Sequence, residues 1–470
     1  MEQKYKRLGK NTLLVFLGNA GSKLIGLAML PFYTRWLSVA DYGTTDMITV
    51  YSTLLVGVVA CCIYDALLVF PKDASIEKKK TYLTSGGAFL IIAFLATFVF
   101  FVFLSVLSSH FSINNSFFQY IWLVFLMIVS DVLLKCAQSY ARSIDKMVAY
   151  SLTGIVVTLC TALFSFIFIP SYGIYGYVMS FVLANIIAAI VAFLYSKSYY
   201  YLDYKTISTE SCREMLAYSI PLIPNALMWW IVNAINRPLM ERYVGLEGIG
   251  IFAIANKFPG LMSMLYSIFL VSWQLSVLEE FGKKGYEVFY NRILRLVTIM
   301  SSLFLIVITL FSKIIIRIFA SSNFYESWKY VSILTLGMLF SNIGGFVGCN
   351  FSAARKSKYY FYSSLWSALS AVLFNFLLIP TFGIWGAVVS FSLALFVMAV
   401  SRIVYSWRYV HIQKLFLYLM LPILDVIVFL LILNSADLII VGFITAIVVI
   451  IHILFLEPLS IIKKLNNNRL

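Results

Sequence analysis

The chain has 470 residues, 62% of them hydrophobic and 12% charged, with a formal net charge of +15. An ordinary soluble domain carries about 45–50% apolar and about 25% charged residues, so this composition excludes a cytosolic enzyme, a disordered protein and a nucleic-acid binder. At about 20 apolar residues per crossing, it describes an all-α, polytopic membrane protein.

The opening MEQKYKRLGK resembles a signal-peptide start. No small-residue cleavage site follows, and the apolar run continues to Leu37, so a first transmembrane helix is expected. Apolar runs separated by charged or turn-rich breaks predict about fourteen helices. Their limits are 12–37, 44–70, 81–109, 117–139, 150–169, 174–196, 214–239, 248–278, 292–319, 328–350, 359–379, 384–407, 415–434 and 437–459. The six cysteines show no metal-type spacing, and all but Cys212 lie in or beside apolar runs. They read as small buried hydrophobes, and neither a metal nor a cofactor is expected. The sequence holds no GxxxxGK[ST] pattern, which argues against ATP hydrolysis by that route.

Fourteen spans put both termini on one side. With the N-terminus inside, the inward segments hold 26 Lys/Arg and the outward loops and span ends six. Basic residues favour the cytoplasmic side, so both termini are expected there. The outward connections are all short, leaving no room for an extracytoplasmic domain.

An internal repeat organises the chain. Ile169–Ala184 reads IPSYGIYGYVMSFVLA and Ile379–Ala394 reads IPTFGIWGAVVSFSLA, ten identities in sixteen positions at an offset of 210. Lys146 and Tyr150 align with Lys356 and Tyr360, and Arg35-Trp36-Leu37 with Gly43 aligns with Arg242-Tyr243-Val244 with Gly250 at offset 207. The copies lie six helices apart and so face the same way, the arrangement of parallel repeats about an axis along the membrane normal. This predicts two pseudo-symmetric six-helix bundles, 1–205 and 206–412, and an extra helix pair with a cytoplasmic tail, 413–470. The Pro-x-x-Gly-x-x-Gly copies read as tight turns between helices.

The segment Met215–Met264 resembles the start of the second lobe in polysaccharide (O-antigen type) flippases, within the multidrug/oligosaccharidyl-lipid/polysaccharide exporter superfamily. The resemblance rests on Pro221-Leu-Ile-Pro224, Arg237, Gly245-Leu246-Glu247 and Gly250. In the first lobe it rests on Gly18, Lys23, Pro31, Arg35 and Asp41-Tyr42-Gly43. One departure is Asn236, where many relatives carry an acid. The resemblance implies two bundles around a central cavity open alternately to each face. It also implies transport, rather than enzymatic conversion, of an undecaprenyl-pyrophosphate-linked oligosaccharide from the cytoplasmic to the outer leaflet. Its implied partners are that substrate, membrane lipids and a polysaccharide polymerase of the same pathway. Two alternatives stand beside this reading: a multidrug/cation antiporter of the same superfamily, and a lipid II or teichoic-type flippase.

A flippase must shelter sugars and a diphosphate from hydrocarbon, and ionisable residues within spans are functional candidates. Lys23 lies midway along span one, about 16 Å from either end, one turn after Asn19. It reads as a cavity cation or as half of a structural ion pair. Asn225, Trp229, Asn233, Asn236 and Arg237 recur at helical spacing on one face of span seven. Amides and a guanidinium suit sugar hydroxyls and phosphate oxygens, although amides also bond between helices in membranes. Pro221 and Pro224 are expected to kink that helix, after a capping box at Ser211 and Glu214. Lys257, beside Asn256, reads as a cavity wall or as a side chain reaching the outer interface. Arg35 and Arg242 are expected at the outer rim. Asp131 and Lys135, one turn apart, are expected to pair. Asp65 continues a Thr53–Gly57–Cys61 stripe read as close helix packing, and Asp65 and Asp131 are the candidates for ion coupling. Asp425, in the extra pair, is read as peripheral.

Overall fold

In the computed structural model the described residues are 26–111, 115–412, 415–434 and 438–456. Among them the chain is helical, with no strand. The principal helices are α1 (Leu30–Trp36), α2 (Val39–Val59), α3 (Ile63–Val69), α4 (Ile76–His110), α5 (Ile121–Ser143), α6 (Met147–Tyr195) and α7 (Thr209–Ser219). They continue as α8 (Ile223–Ala234), α9 (Asn236–Tyr243), α10 (Gly245–Ala255), α11 (Lys257–Glu280) and α12 (Tyr286–Phe319). The last are α13 (Trp328–Ala353), α14 (Lys358–Phe382), α15 (Ile384–Ser406), α16 (Leu415–Leu433) and α17 (Leu438–Leu456).

Nine helices among the described residues are long and apolar enough to cross a membrane, ten if the bent pair α2 and α3 is one span. The protein is a multi-pass membrane protein. The expected count of fourteen is not reached, for identifiable reasons. Most of the first span, 12–37, lies outside the described residues. The apolar stretches of the last two helices, Leu421–Leu433 and Ile439–His452, are short. Spans five and six form the single 49-residue element α6. A straight helix of that length would reach about 74 Å, more than twice the hydrocarbon thickness.

The chain instead turns back inside α6, at Gly173 (φ 54°, ψ −123°). Its equivalent Gly383, between α14 and α15, has φ 57° and ψ −127°, a region essentially reserved for glycine. Three residues on, a Cβ at Gly176 would stand 2.3 Å from the Phe168 oxygen, and one at Gly386 would stand 2.1 Å from the Leu378 oxygen. The upstream turns match as well. Asp145 (φ 61°) and Arg355 (φ 53°) are both left-handed. The next residue in each donates its N–H across the turn at 2.8 Å, Lys146 to the Ala141 carbonyl and Lys356 to that of Phe351. The sequence repeat is therefore a repeat of backbone conformation at both turns.

The chain divides into two compact units, residues 1–230 with 245–250, and 231–244 with 251–470. In the first, α5 packs along α6, and α2 and α3 pack along α5. Ser38 starts α2 with a capping box: its hydroxyl accepts from the Asp41 N–H at 3.1 Å, and the Asp41 carboxylate accepts from the Ser38 N–H at 3.4 Å. These bonds satisfy two donors that helix geometry leaves without partners. In the second unit α15 packs on both α13 and α14, and α16 and α17 pack on α12. Its core stacks Trp273 on Phe346 with ring centres 4.1 Å apart, and the Trp273 indole donates to the Phe346 carbonyl at 3.2 Å.

Candidate functional site

Span seven is interrupted where the sequence places its polar face. A short 3-10 turn, Ile220–Leu222, carries Pro221 at its start, and α8 and α9 are parted at Ile235. The second break falls three residues before Pro238, whose ring cannot follow a helical carbonyl and which donates no hydrogen bond. Asn225, Trp229 and Asn233, four residues apart on α8, are all exposed. Asn236 and Arg237, beyond the break, are buried.

Arg237 is 4% exposed. Its Nη1 donates to the Asn233 carbonyl at 2.7 Å and to Asn236 Oδ1 at 2.9 Å, and its guanidinium lies 4.7 Å from the Phe252 ring centre. The five-residue stripe thus divides into an exposed amide–indole face and a buried arginine held by a neighbouring amide. The expected capping box shifts by one turn. Ser208 is the cap, accepting from the Ser211 N–H at 3.2 Å, while Glu214 accepts a hydrogen bond from the Tyr82 hydroxyl at 3.1 Å. Serines fall at both positions, and the one preceding the first helical turn has the extended backbone a cap needs.

Lys257 is exposed at the first turn of α11, after a break at Asn256. Arg35 and Arg242 are exposed in the last turns of α1 and α9, where a cation complements the helix dipole. Lys23 and Asn19 lie outside the described residues.

The acids of the first unit gather at a bend. Cys61 and Cys62 are both left-handed, with φ 47° and 52°, and they turn the chain by 58° between α2 and α3. The stripe running from Thr53 through Cys61 to Asp65 is therefore not one helix face. Adjacent non-glycine residues in this conformation store strain of order 1–3 kcal/mol each. The Tyr64 hydroxyl donates to Cys62 Sγ at 3.7 Å, and that thiol donates to the Gly57 carbonyl at 3.5 Å. Facing the bend from α5, Lys135 binds Asp131 at 2.9 Å and lies 5.5 Å from the Tyr64 ring centre. Asp65 opens α3 beside this group, half-buried, within reach of the Lys135 and Arg142 charges.

Arg402 is a buried cation that sequence reasoning missed, because it stands four residues before the end of α15 and reads as one of the basic residues of the following inward loop. It is 4% exposed in the second unit, donates from Nε to Ser363 Oγ at 3.2 Å and lies 5.3 Å from the Tyr360 ring centre. No carboxylate pairs with it among the described residues. A cavity of about 370 Å³ in the same unit is lined by Tyr266, Phe269, Val297, Phe304 and Asn342 among others. Among the described residues, the Tyr266 hydroxyl and the Asn342 side-chain nitrogen have no hydrogen-bond partner.

Residues 8–273, more than half of the chain, match the family described as polysaccharide biosynthesis protein. No curated protein matches the sequence. The fold is similar to solved structures at low sequence identity. An inward-facing multidrug resistance MATE family transporter of the MOP superfamily aligns with TM-score 0.66 and 12% identity, over 82% of this chain and 94% of that one. The lipid II flippase MurJ, in an inward closed conformation, aligns with TM-score 0.61 and 17% identity over 95% and 99%. A MOP superfamily transporter from Pyrococcus furiosus, described as having a binding pocket of reverse polarity, aligns with TM-score 0.59 and 13% identity over 84% and 94%.

Proposed function

Because the chain belongs to the polysaccharide biosynthesis protein family, we propose that it is a flippase for an undecaprenyl-pyrophosphate-linked oligosaccharide, the repeat unit of a surface polysaccharide. It carries this substrate from the cytoplasmic to the outer leaflet of a bacterial inner membrane by alternating access, with both termini cytoplasmic. The observation that carries the reading is the family match over residues 8–273 of a multi-pass chain. A polymerase of the same pathway receives the product.

Lys23, Asn19, Asn225, Asn233, Arg237 and Lys257 hold the sugar and diphosphate, with Arg35 and Arg242 at the outer rim. The exposed amides of α8 support this for Asn225 and Asn233. Arg237 reaches the diphosphate in a state of the cycle other than the present one, in which it is buried. A pyrophosphate diester carries about two negative charges, and each gains about 2.3 kcal/mol per 100 mV on leaving an inside-negative cell. Asp65 and Asp131, beside the strained bend at Cys61–Cys62, are the candidates for any coupled ion.

The test is polysaccharide export in a flippase-deficient host expressing this chain. Restored export supports the reading. Accumulation of the lipid-linked precursor on the inner leaflet despite good membrane levels would falsify it, and drug efflux instead would favour the antiporter.

A further inference from the structure

The C-terminal helices contain one acid and one imidazole that the transport reading leaves unused. Asp425 is the only charged residue of α16, and His452 is the only titratable group of α17. Twenty-seven residues apart in sequence, they meet with His452 Nε2 3.6 Å from Asp425 Oδ1, both side chains fully buried. The other imidazole nitrogen, Nδ1, is 2.8 Å from the Val448 carbonyl, which fixes Nδ1 as the protonated nitrogen and turns Nε2 to the acid.

The group is short of hydrogen bonds. At 3.6 Å the pair is beyond ordinary hydrogen-bond length, and neither Asp425 oxygen nor His452 Nε2 has a partner. Ser302 on α12 is the polar neighbour of Asp425, close enough for its hydroxyl to act on the carboxyl but without a hydrogen bond of ordinary geometry among the described residues. Three helices thus contribute one unsatisfied polar group each. Ile306, Val428 and Val448 form the dry packing of the same helices. On α13, which also packs on α16, the one charge is Lys329, in the first turn. On α12 the flanking charges are Arg295, about 10 Å along the axis on one side of Ser302, and Lys313, about 16 Å on the other.

We propose that Asp425 and His452 form a proton-binding site that is loaded and unloaded as the protein transports. Asp131 bonds the ammonium of Lys135 at 2.9 Å, whereas Asp425 faces an imidazole at 3.6 Å. Hydrocarbon penalises net charge, and the pair is neutral when it holds one proton, as carboxylic acid with imidazole or as carboxylate with imidazolium. The proton comes from water and returns to water. Its loss leaves one buried negative charge, so it requires hydration of the site and movement of α16 and α17 on α12. Protonation and packing of the C-terminal pair are therefore linked, and the linkage serves transport if the proposed function holds.

The test uses the purified full chain in lipid, without substrate. Infrared difference spectra on a pH jump are expected to show a carboxylic-acid carbonyl band that is lost in Asp425→Asn and shifted in His452→Gln. A wild-type spectrum with no such band, or one unchanged in Asp425→Asn, overturns the proposal. This readout is independent of what is transported, so it survives a failure of the flippase reading. In the export assay, Asp425→Asn and His452→Gln are each expected to lower export about tenfold, a typical coupling effect. The double variant, an amide pair of similar shape, is the control for folding. Should it accumulate and export with the wild-type dependence on external pH, the pair is structural and the proposal fails.

Discussion

Gly43 and Gly250, equivalent positions of the internal repeat, pack against each other's helices in a reciprocal way. A Cβ on Gly43 would stand 2.0 Å from the Leu246 carbonyl oxygen, and one on Gly250 would stand 2.1 Å from that of Val39. Val39 and Leu246 are themselves equivalent at the same offset of 207. Each helix therefore presents the same notch to the other's backbone.

Backbone cannot rotate away as a side chain can, so alanine at either glycine must push the helices apart. Gly43→Ala and Gly250→Ala are each expected to destabilise the protein by about 1–3 kcal/mol. Gly26→Ala, with open space around the added methyl, is the control. Thermal unfolding in detergent, read by size exclusion, checks this; equal midpoints for all three variants would sink it.

The Asp131–Lys135 pair predicts non-additivity. Removing either partner leaves a charge in the membrane without its charge-assisted bond, worth about 1.5–3 kcal/mol. Asp131→Asn and Lys135→Met are each expected to reduce the folded fraction, and the double variant is expected to recover part of the loss. A double variant as poor as the sum of the singles shows that the two do not act as a pair.

Cations facing a diphosphate predict a transport defect distinct from a folding defect. Lys23→Ala is expected to weaken substrate binding by roughly 10- to 100-fold at normal membrane level, the equivalent of one charge-assisted contact, with Lys23→Arg partly active. Arg237→Ala is expected to lose stability as well, because Asn236 and Phe252 lose their partner. Export measured with membrane level in parallel separates the two. Normal export by a well-expressed double alanine variant removes both residues from the substrate path.

Orientation is open to direct labelling. Cysteines placed at Lys79, Lys284 and Lys463 are expected to resist an impermeant reagent in intact cells and to react after lysis. Labelling from outside at any of the three overturns the cytoplasmic assignment of the basic loops.

The parts of this architecture that depend on local sequence were legible in advance. Apolar run length located most helices, and the Pro-x-x-Gly-x-x-Gly repeat located two turns whose glycines share a conformation only glycine adopts easily. The bend at Cys61–Cys62 was not legible, since neither residue favours positive φ and the strain is held by surrounding packing. The break at Ile235 was obscured by a polar stripe whose spacing fits an unbroken helix. The burial of Asp425 was invisible for a third reason: its partner His452 stands on another helix, and no periodicity links them. The same holds for Arg402, whose environment of Tyr360 and Ser363 is assembled only by the packing of α14 on α15.

The matched turns at Asp145 and Arg355 agree in backbone but not in charge. Duplication preserved a left-handed residue at both places but reversed its sign, from Asp145-Lys146 to Arg355-Lys356. At neutral pH the first dipeptide has no net charge and the second has two positive charges. The same backbone turn therefore carries different charge in its two copies. A repeat alike in backbone conformation at this turn is in this way unlike in charge.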